Sequence, residues 1–180
     1  MLLSRRVFVR VHTGAKRAKM TVTRLSMVHR CVGCGAFHLQ PLGKAINVEK
    51  DQFAPSVGNY PPEKCPDCGW RFQIGGPIWS DPIHNNDFLK GMFQLISEEP
   101  LSKLATHPRL EGTLALAREE LPNSPLYYVI DRLFGTVHGQ APTAIKFRSA
   151  ILNGGYQVSL AHAAKASIKT NAPPSFIWVS

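Results

Sequence analysis

The chain has 180 residues, of which 44% are hydrophobic and 18% charged; this excludes a disordered tail, and no run approaches the roughly 20 apolar residues of a membrane helix. Four cysteines are too few for a secreted disulfide framework, and with no secretory leader pattern the chain reads as soluble and intracellular, where thiols stay free for metal or redox chemistry. The net charge of +9 is segregated, because no Asp or Glu precedes Glu49 while Arg5, Arg6, Arg10, Lys16, Arg17, Lys19, Arg24, Arg30 and Lys44 supply nine positive charges.

In chain order, residues 7–12 ("VFVRVH") alternate with period two and predict a strand. A basic loop over "TGAKRAK" follows, then a second extended run from about residue 20 to residue 29, so residues 1–30 are expected to form a strand pair. An acid-free basic block of this kind favours polyanions through phosphate contacts and counterion release. A solvated face or an Arg-rich transit peptide shares that composition, but the strand-like alternation argues against the latter.

Residues 31–84 are rich in Gly and Pro and poor in periodicity, as expected where something other than a large apolar core fixes the backbone. From residue 85 the pattern turns helical. Phe88, Met92, Leu95 and Ile96 share one face; so do Leu110, Leu114 and Ala117, then Leu126, Ile130, Leu133, Phe134 and Val137, then Ala144, Phe147 and Ile151. "NSP" (123–125) and "APT" (141–143) introduce the third and fourth helices, and "NGG" (153–155) ends the fourth. "YQVSLAH" and "FIWVS" then read as strands. The expected class is α+β: the N-terminal strand pair (1–30), a four-cysteine zinc-ribbon-like segment (31–84) and a helical, winged-helix-like unit (85–180). No internal repeat is visible.

All four cysteines lie in two matching knuckles, "CVGCG" and "CPDCG". A C-x-x-C turn aims two thiolates at one centre, and the glycine after it, Gly35 or Gly69, lets backbone amides face the sulfurs. Together Cys31, Cys34, Cys65 and Cys68 can complete a tetrahedral four-thiolate shell, which favours a structural zinc with no open position. A thioredoxin-like redox pair is the weaker reading, because two matching knuckles would be redundant and no βαβ pattern surrounds them. Between the second knuckle and the first helix, "FQIGGPIWSDPIHNNDF" (72–88) combines two glycines, two φ-fixing prolines and Trp79. It is expected to be a rigid buried crossing, with a ligand or RNA contact by Trp79 or His84 as the alternative.

The blocks "CVGCGAFHLQPLGK", "CPDCGWRFQIGGPIWSDPIHN", "ELPNSPLYYVIDRL", "YQVSLAHA" and "ASIKTNAPPS", in this order, resemble the C-terminal half of the eukaryotic tRNA guanine-26 N2-dimethyltransferase family, and "VFVRVHTGAK" resembles the end of that family's catalytic domain. The resemblance implies an S-adenosylmethionine-dependent enzyme that methylates the exocyclic amine of a tRNA guanine, built from a Rossmann-like domain followed by a zinc-binding, winged-helix-like domain that helps hold the tRNA. It implies that Cys31, Cys34, Cys65 and Cys68 are the zinc ligands, that Gly76, Pro77 and Trp79 match a G-P-x-W block, and that His162, Lys169, Thr170, Ala172 and Pro173 match a histidine followed by K-T-D-A-P. Asn171 departs from that block by replacing the Asp. Phosphate contacts are expected from Arg10, Lys16, Arg17 and Lys19, with Lys165 and Lys169 near the wing, and His162 is expected to be a hydrogen-bonded structural histidine.

No glycine-rich cofactor turn, ribose-binding acid or D-P-F-G-like tetrapeptide is found, and "GGPIW" follows a zinc knuckle rather than a strand that opens a helix. The chain therefore reads as a fragment, a truncated gene model or a duplicate without its Rossmann-like half, with a separately encoded or missing methyltransferase domain as the expected partner. It is not expected to turn over alone, and no catalytic residue is assigned. The competing expectation is a zinc-ribbon and winged-helix module that binds nucleic acid or protein without catalysis. Location follows the resemblance: nucleus, with mitochondrion or cytoplasm as alternatives.

Overall fold

The computed structural model describes residue 9 and residues 11–57, 61–136 and 139–179. Most of the strand expected over residues 7–12 lies outside these; Val9, Val11 and His12, which are described, carry no strand. The stretch expected as a basic loop is instead helix α1 (Ala15–Thr21), whose Ala, Lys, Arg and Met residues are good helix formers even though none is buried. A single 3₁₀ turn over Val22–Arg24 follows, so the extended run begins later than expected, as β1 (Leu25–Cys31).

Strand β1 pairs antiparallel with β2 (Phe37–Pro41) on one side and β5 (Phe72–Trp79) on the other. Among the described residues, β1 therefore belongs to a sheet whose other two strands come from the region that showed no periodicity. Their signal is weak because hydrogen bonding around a cysteine-lined corner, not an alternating apolar face, holds them. His29 faces His38 across one ladder and Ile74 across the other, and its Nε2 lies 2.8 Å from Gln40 Oε1. A two-stranded hairpin, β3 (Gly43–Asn47) with β4 (Gln52–Pro55), projects beside the 3₁₀ turn. Here Gly43 is buried, and a Cβ on it would meet Val22 Cγ1 at 2.8 Å.

Far from being a buried crossing, β5 is an outer strand with most of its side chains in solvent. The pairing of β1 with β5 shifts register between Ser26 and Val28, opposite Gly75 and Gly76. Gly76 has φ of +111°, and a Cβ there would lie 3.1 Å from the Ser26 carbonyl oxygen, so the bend requires glycine.

Beyond Asn85, whose Oδ1 caps the helix by accepting from Phe88 N at 3.0 Å, α2 (Asn86–Ser97) packs on α3 (His107–Glu119). The buried positions of α2 are Leu89 and Ile96; Phe88 and Leu95, expected on the inner face, are exposed. The third expected helix begins four residues late, as α4 (Ile130–Thr136), because Tyr128–Val129 first form strand β6; Val137 lies outside the described residues. Helix α5 (Ala144–Asn153) starts on the Thr143 cap and stops at Gly154, as the periodicity and turn residues predict. Strands β7 (Val158–Leu160) and β8 (Ser167–Thr170) then pair, giving an antiparallel sheet in the order β6-β8-β7.

The final segment "FIWVS", expected as a strand, is helix α6 (Pro174–Val179). Pro174 starts it, since its missing N–H and fixed φ suit a first helical position. Tertiary packing outweighs the β preference of Phe, Ile, Trp and Val: Ile177 joins the core of Tyr128, Ile130, Leu133, Phe147, Ile151, Ile168 and Ala172. Trp178 touches that core and also the cluster around Cys31, Cys34, Ala36 and Cys65. A second join is the Phe37 ring stacked on Tyr128 with centroids 4.6 Å apart. The result is a mixed α+β fold in which every strand pairing among the described residues is antiparallel. No described helix is long and apolar enough to cross a membrane.

Candidate metal centre and the buried carboxylate

The two knuckles have the same backbone. In the first, Gly35 N–H donates to Cys31 O and Cys31 N–H to Ala36 O; in the second, Gly69 N–H donates to Cys65 O and Cys65 N–H to Trp70 O. Gly35 and Gly69 sit at φ of +76° and +75°, the left-handed turn in which amides can point at the sulfurs. Val32 N–H donates to Arg71 O at 3.1 Å and ties one knuckle to the other. Of the 30 residues between them, those up to Pro55 include β2 and the β3–β4 hairpin.

The four sulfurs converge within 4.8 Å of one another, with Cys31 Sγ 3.3 Å from Cys68 Sγ and Cys34 Sγ 3.6 Å from Cys65 Sγ. These separations are far too long for a disulfide, and all four cysteines are free. They approach the roughly 3.8 Å edge of a tetrahedron with metal–sulfur bonds near 2.3 Å, so the donor set fits a four-thiolate ion. Cys31, Cys34 and Cys65 are buried and Cys68 is exposed, so the centre lies at the rim of the fold. Burial opposes ionisation of Cys31, but hydrogen bonds from the Cys34 and Gly33 backbone and the Cys68 side chain bring its thiol down to about 7. Burial pushes the Cys34 and Cys65 thiols up. Four such groups cannot all ionise together without a compensating cation, as a bound metal ion supplies.

A second cluster surrounds Glu120, which follows the last residue of α3 and is 6% exposed. Its Oε1 accepts from the His162 backbone N–H at 2.5 Å and lies 2.6 Å from His162 Nδ1; Oε2 lies 2.9 Å from both His84 Nε2 and Lys169 Nζ. The two imidazole rings meet edge-on with centroids 5.0 Å apart. Burial works against the carboxylate's charge, yet hydrogen bonds from the His162 backbone and the Lys169, His162 and His84 side chains hold its pKa at about 2. His84, Glu120 and His162 have the composition of a metal triad. The Lys169 ammonium already stands where a cation would be needed, so the geometry is that of an ion network.

That network corrects one expectation. Lys169 is 3% exposed and paired with Glu120, so its charge is turned inward and is not offered to a phosphate. His162 is bound to Glu120 through both its backbone N–H and its ring Nδ1. Glu120 escaped the sequence reading, although a signal existed: a carboxylate at a helix C-terminus opposes the macrodipole and calls for a cationic partner elsewhere. The K-T-N-A-P block is a clamp, in which Thr170 Oγ1 donates to Gln157 O at 2.7 Å and accepts from Ala172 N at 3.0 Å, while Asn171 Oδ1 accepts from Gln157 N at 2.8 Å. An acceptor oxygen suffices there, so the missing carboxylate leaves the loop fixed.

Of the other basic candidates, Lys16, Arg17 and Lys19 line α1 in solvent, with Lys16 3.2 Å from Asp51, and Lys165 is exposed after β7. Arg10 lies outside the described residues. Trp79 is 38% exposed beneath the Arg24 guanidinium, 5.6 Å from its ring centre, and Arg24 also pairs with Asp81 at 3.1 Å. The structure brings together the four cysteines, and separately His162 with Lys169; it does not gather the basic candidates into one site.

A family model described as N2,N2-dimethylguanosine tRNA methyltransferase matches residues 4–180. The tRNA (guanine(26)-N(2))-dimethyltransferase of Homo sapiens is 44% identical over 175 residues, covering 96% of this chain and 26% of that protein. The Drosophila melanogaster enzyme of the same name is 41% identical over 179 residues, covering 96% of this chain and 31% of its own length. The mitochondrial form from Saccharomyces cerevisiae is 33% identical over 182 residues, with 96% and 32% covered. This chain therefore spans about a quarter to a third of the curated relatives it matches. Among solved structures, Trm1 from Pyrococcus horikoshii in complex with S-adenosyl-L-methionine shares the fold at a TM-score of 0.67 and 19% identity, over 92% of this chain and 37% of that one.

Proposed function

The chain belongs to the N2,N2-dimethylguanosine tRNA methyltransferase family, and from that premise we propose that it is the tRNA-holding C-terminal part of a tRNA (guanine-26-N2)-dimethyltransferase. The observation that carries this reading is the match itself, which runs from residue 4 to residue 180 through both cysteine knuckles and the Glu120-bound block. One zinc ion held by Cys31, Cys34, Cys65 and Cys68 fixes the corner between the β2-β1-β5 sheet and α6, taking the place of an apolar core. The helical unit with its β6-β8-β7 sheet serves as the winged-helix-like part. S-adenosylmethionine, when bound, supplies the methyl group, and the reading assigns it to a parallel-sheet catalytic domain; no residue from 9 to 179 is given a catalytic role.

In this reading the chain's contribution is electrostatic and positional. Arg17 and Lys19 project from a helix that buries none of its side chains, and Lys165 projects from the other unit, so these three can meet phosphates in solvent, while Lys16 would have to share its charge with Asp51. Salt-titrated binding of the zinc-loaded chain to full-length tRNA and to duplex DNA of similar charge tests it, with a methyl-transfer assay alongside. Preference for tRNA, a steep salt dependence and no methyl transfer are expected. Equal weak binding to both polymers overturns the reading in favour of a generic basic module.

A further inference from the structure

Two cavities flank the first cysteine knuckle. One, of about 510 Å³, runs between β1 and α4 and is lined by Arg30, Arg132 and Tyr127 among others. The other, of about 480 Å³, lies on the far side of the knuckle between Trp70 and Trp178. Both have Gly33, Cys34 and Thr136 in their walls, so the two adjoin and flank the knuckle as the two ends of one groove.

The groove has two properties that packing alone does not require. First, Arg30 and Arg132 face it with no carboxylate partner for either guanidinium among the described residues, and no acidic residue lines the first cavity. Asp67 is the one acid described in the wall of the second, where it faces Cys65 Sγ at 3.7 Å. Second, the aromatic rings are open. Trp70 is 62% exposed and Tyr127 38% exposed, although burying either would remove a large apolar area from water.

Trp70 is nevertheless held firmly. A Cβ on Gly33 would lie 2.6 Å from Trp70 Cγ and Cδ1, so the indole rests directly on a backbone that has no side chain in the way. Its own carbonyl accepts from Cys65 N at 2.7 Å, inside the second knuckle. An indole fixed along one edge and open on the rest of its surface loses little entropy when something stacks on it. Unpaired guanidinium forks beside such rings match a phosphodiester carrying unstacked bases. Duplex nucleic acid offers no base faces to these rings.

We propose that this groove binds an unpaired RNA segment, with bases stacked on Trp70 and Tyr127 and the backbone held by Arg30 and Arg132. The inference rests on the tRNA-holding reading and assigns part of that contact to a single-stranded region of the RNA.

Fluorescence anisotropy of the zinc-loaded chain with a labelled, unstructured RNA of about ten nucleotides, a hairpin duplex of equal charge, and full-length tRNA tests the groove. Single strand should compete with tRNA far better than duplex does. R30Q/R132Q should weaken single-strand binding about tenfold or more and lower the salt slope by about 1.4, the value for two phosphates on a single strand. Y127A should weaken it about tenfold, W70A likewise, and W70F should stay close to the parent chain because the ring is kept. Zinc content and circular dichroism confirm that each variant is folded; if W70A is not, Y127A and the arginine pair decide.

Groove variants that bind single strands like the parent, or a duplex that competes as well as the single strand, overturn the inference. If tRNA still binds in those cases, the tRNA-holding reading survives. A chain that binds single strands through the groove but ignores tRNA leaves the groove standing and removes the reading. A chain that binds neither removes both.

Discussion

Glu120 grips His162 twice, taking a hydrogen bond from its backbone N–H and lying 2.6 Å from its ring Nδ1 with the same carboxylate oxygen, while the other oxygen holds Lys169 and His84. The carboxylate thereby joins the end of α3, the segment before α2 and the β7-β8 connection. Replacing it with an amide keeps the shape but strands a buried ammonium. E120Q is expected to cost about 3 kcal/mol, the usual result of breaking a buried pair from one side. E120Q/K169M should recover much of that loss. Denaturant unfolding of both variants checks the pair, and equal stability of E120Q and the parent chain would mean that Lys169 is not held by charge.

The same carboxylate sets a pH dependence. Its folded pKa of about 2 lies below its ordinary value of 4.5, so its contribution is fully present above about pH 4.5 and is lost as pH falls towards 2. The size is up to about 3 kcal/mol. Acid also protonates cysteine thiolates and releases metal, so the measurement is the difference between the parent chain and E120Q. That difference should shrink progressively from about pH 4.5 to pH 2, and a constant offset across the window would contradict the assignment.

Metal removal has a distinct expectation. Cys31 ends β1 and lies 3.3 Å from Cys68, so stripping the ion should free the sheet corner while leaving the Phe147–Ile151–Ile168 core packed. A strong chelator should release one equivalent of zinc, expose all four thiols to an alkylating reagent and lower the far-ultraviolet signal only in part. C34S and C65S should lower zinc affinity more than C68S, whose position is already solvent-exposed. Full helical and sheet signal with four protected thiols after chelation would rule the metal centre out.

What the sequence disclosed, and what it hid, follows from how each part is held. The convergence of the cysteines was legible because two C-x-x-C-G turns of the same left-handed form bring their four sulfurs within 4.8 Å of one another. Helices α2, α3 and α5 were legible because an apolar stripe must repeat with the helical period, although Phe88 and Leu95 lie on a face of α2 that stays in solvent. Strands β2 to β5 left no period because β5 has solvent on most of its side chains and the hairpin strands bury little beyond their contact with the 3₁₀ turn. Helix α6 was misread because Ile177 and Trp178 have strand-like preferences that two adjoining cores override. Glu120 and its partners are spread over 86 residues, from His84 to Lys169, and no local pattern links them.

The bend in β5 yields a sharp test. At φ of +111° a side chain on residue 76 is strained before any contact is counted, and the Ser26 carbonyl stands 3.1 Å from where its Cβ would be. G76A is expected to destabilise the sheet by about 1–3 kcal/mol, whereas G75A, whose Cβ meets open space, should cost less than about 1 kcal/mol. Thermal unfolding of the two variants side by side separates a conformational requirement from a general intolerance of larger residues in this strand. Equal losses would locate the constraint in strand pairing instead.

Asn171 provides the last prediction, because it stands where the family resemblance leads one to expect an acid. What the position does here is visible: Oδ1 accepts the Gln157 N–H at 2.8 Å while the neighbouring Thr170 hydroxyl donates to the Gln157 carbonyl, so residue 157 is gripped at both polar atoms. Aspartate offers the same oxygen and adds a charge at an exposed site, where the gain is small. N171D is therefore expected to be neutral within about 0.5 kcal/mol, while N171A, which leaves the amide to water, should cost about 1 kcal/mol. Amide hydrogen exchange at Gln157 reads the contact directly: protection should persist in N171D and fall in N171A. Loss of protection in both would show that the amide group, and not merely an acceptor oxygen, holds the turn into β7.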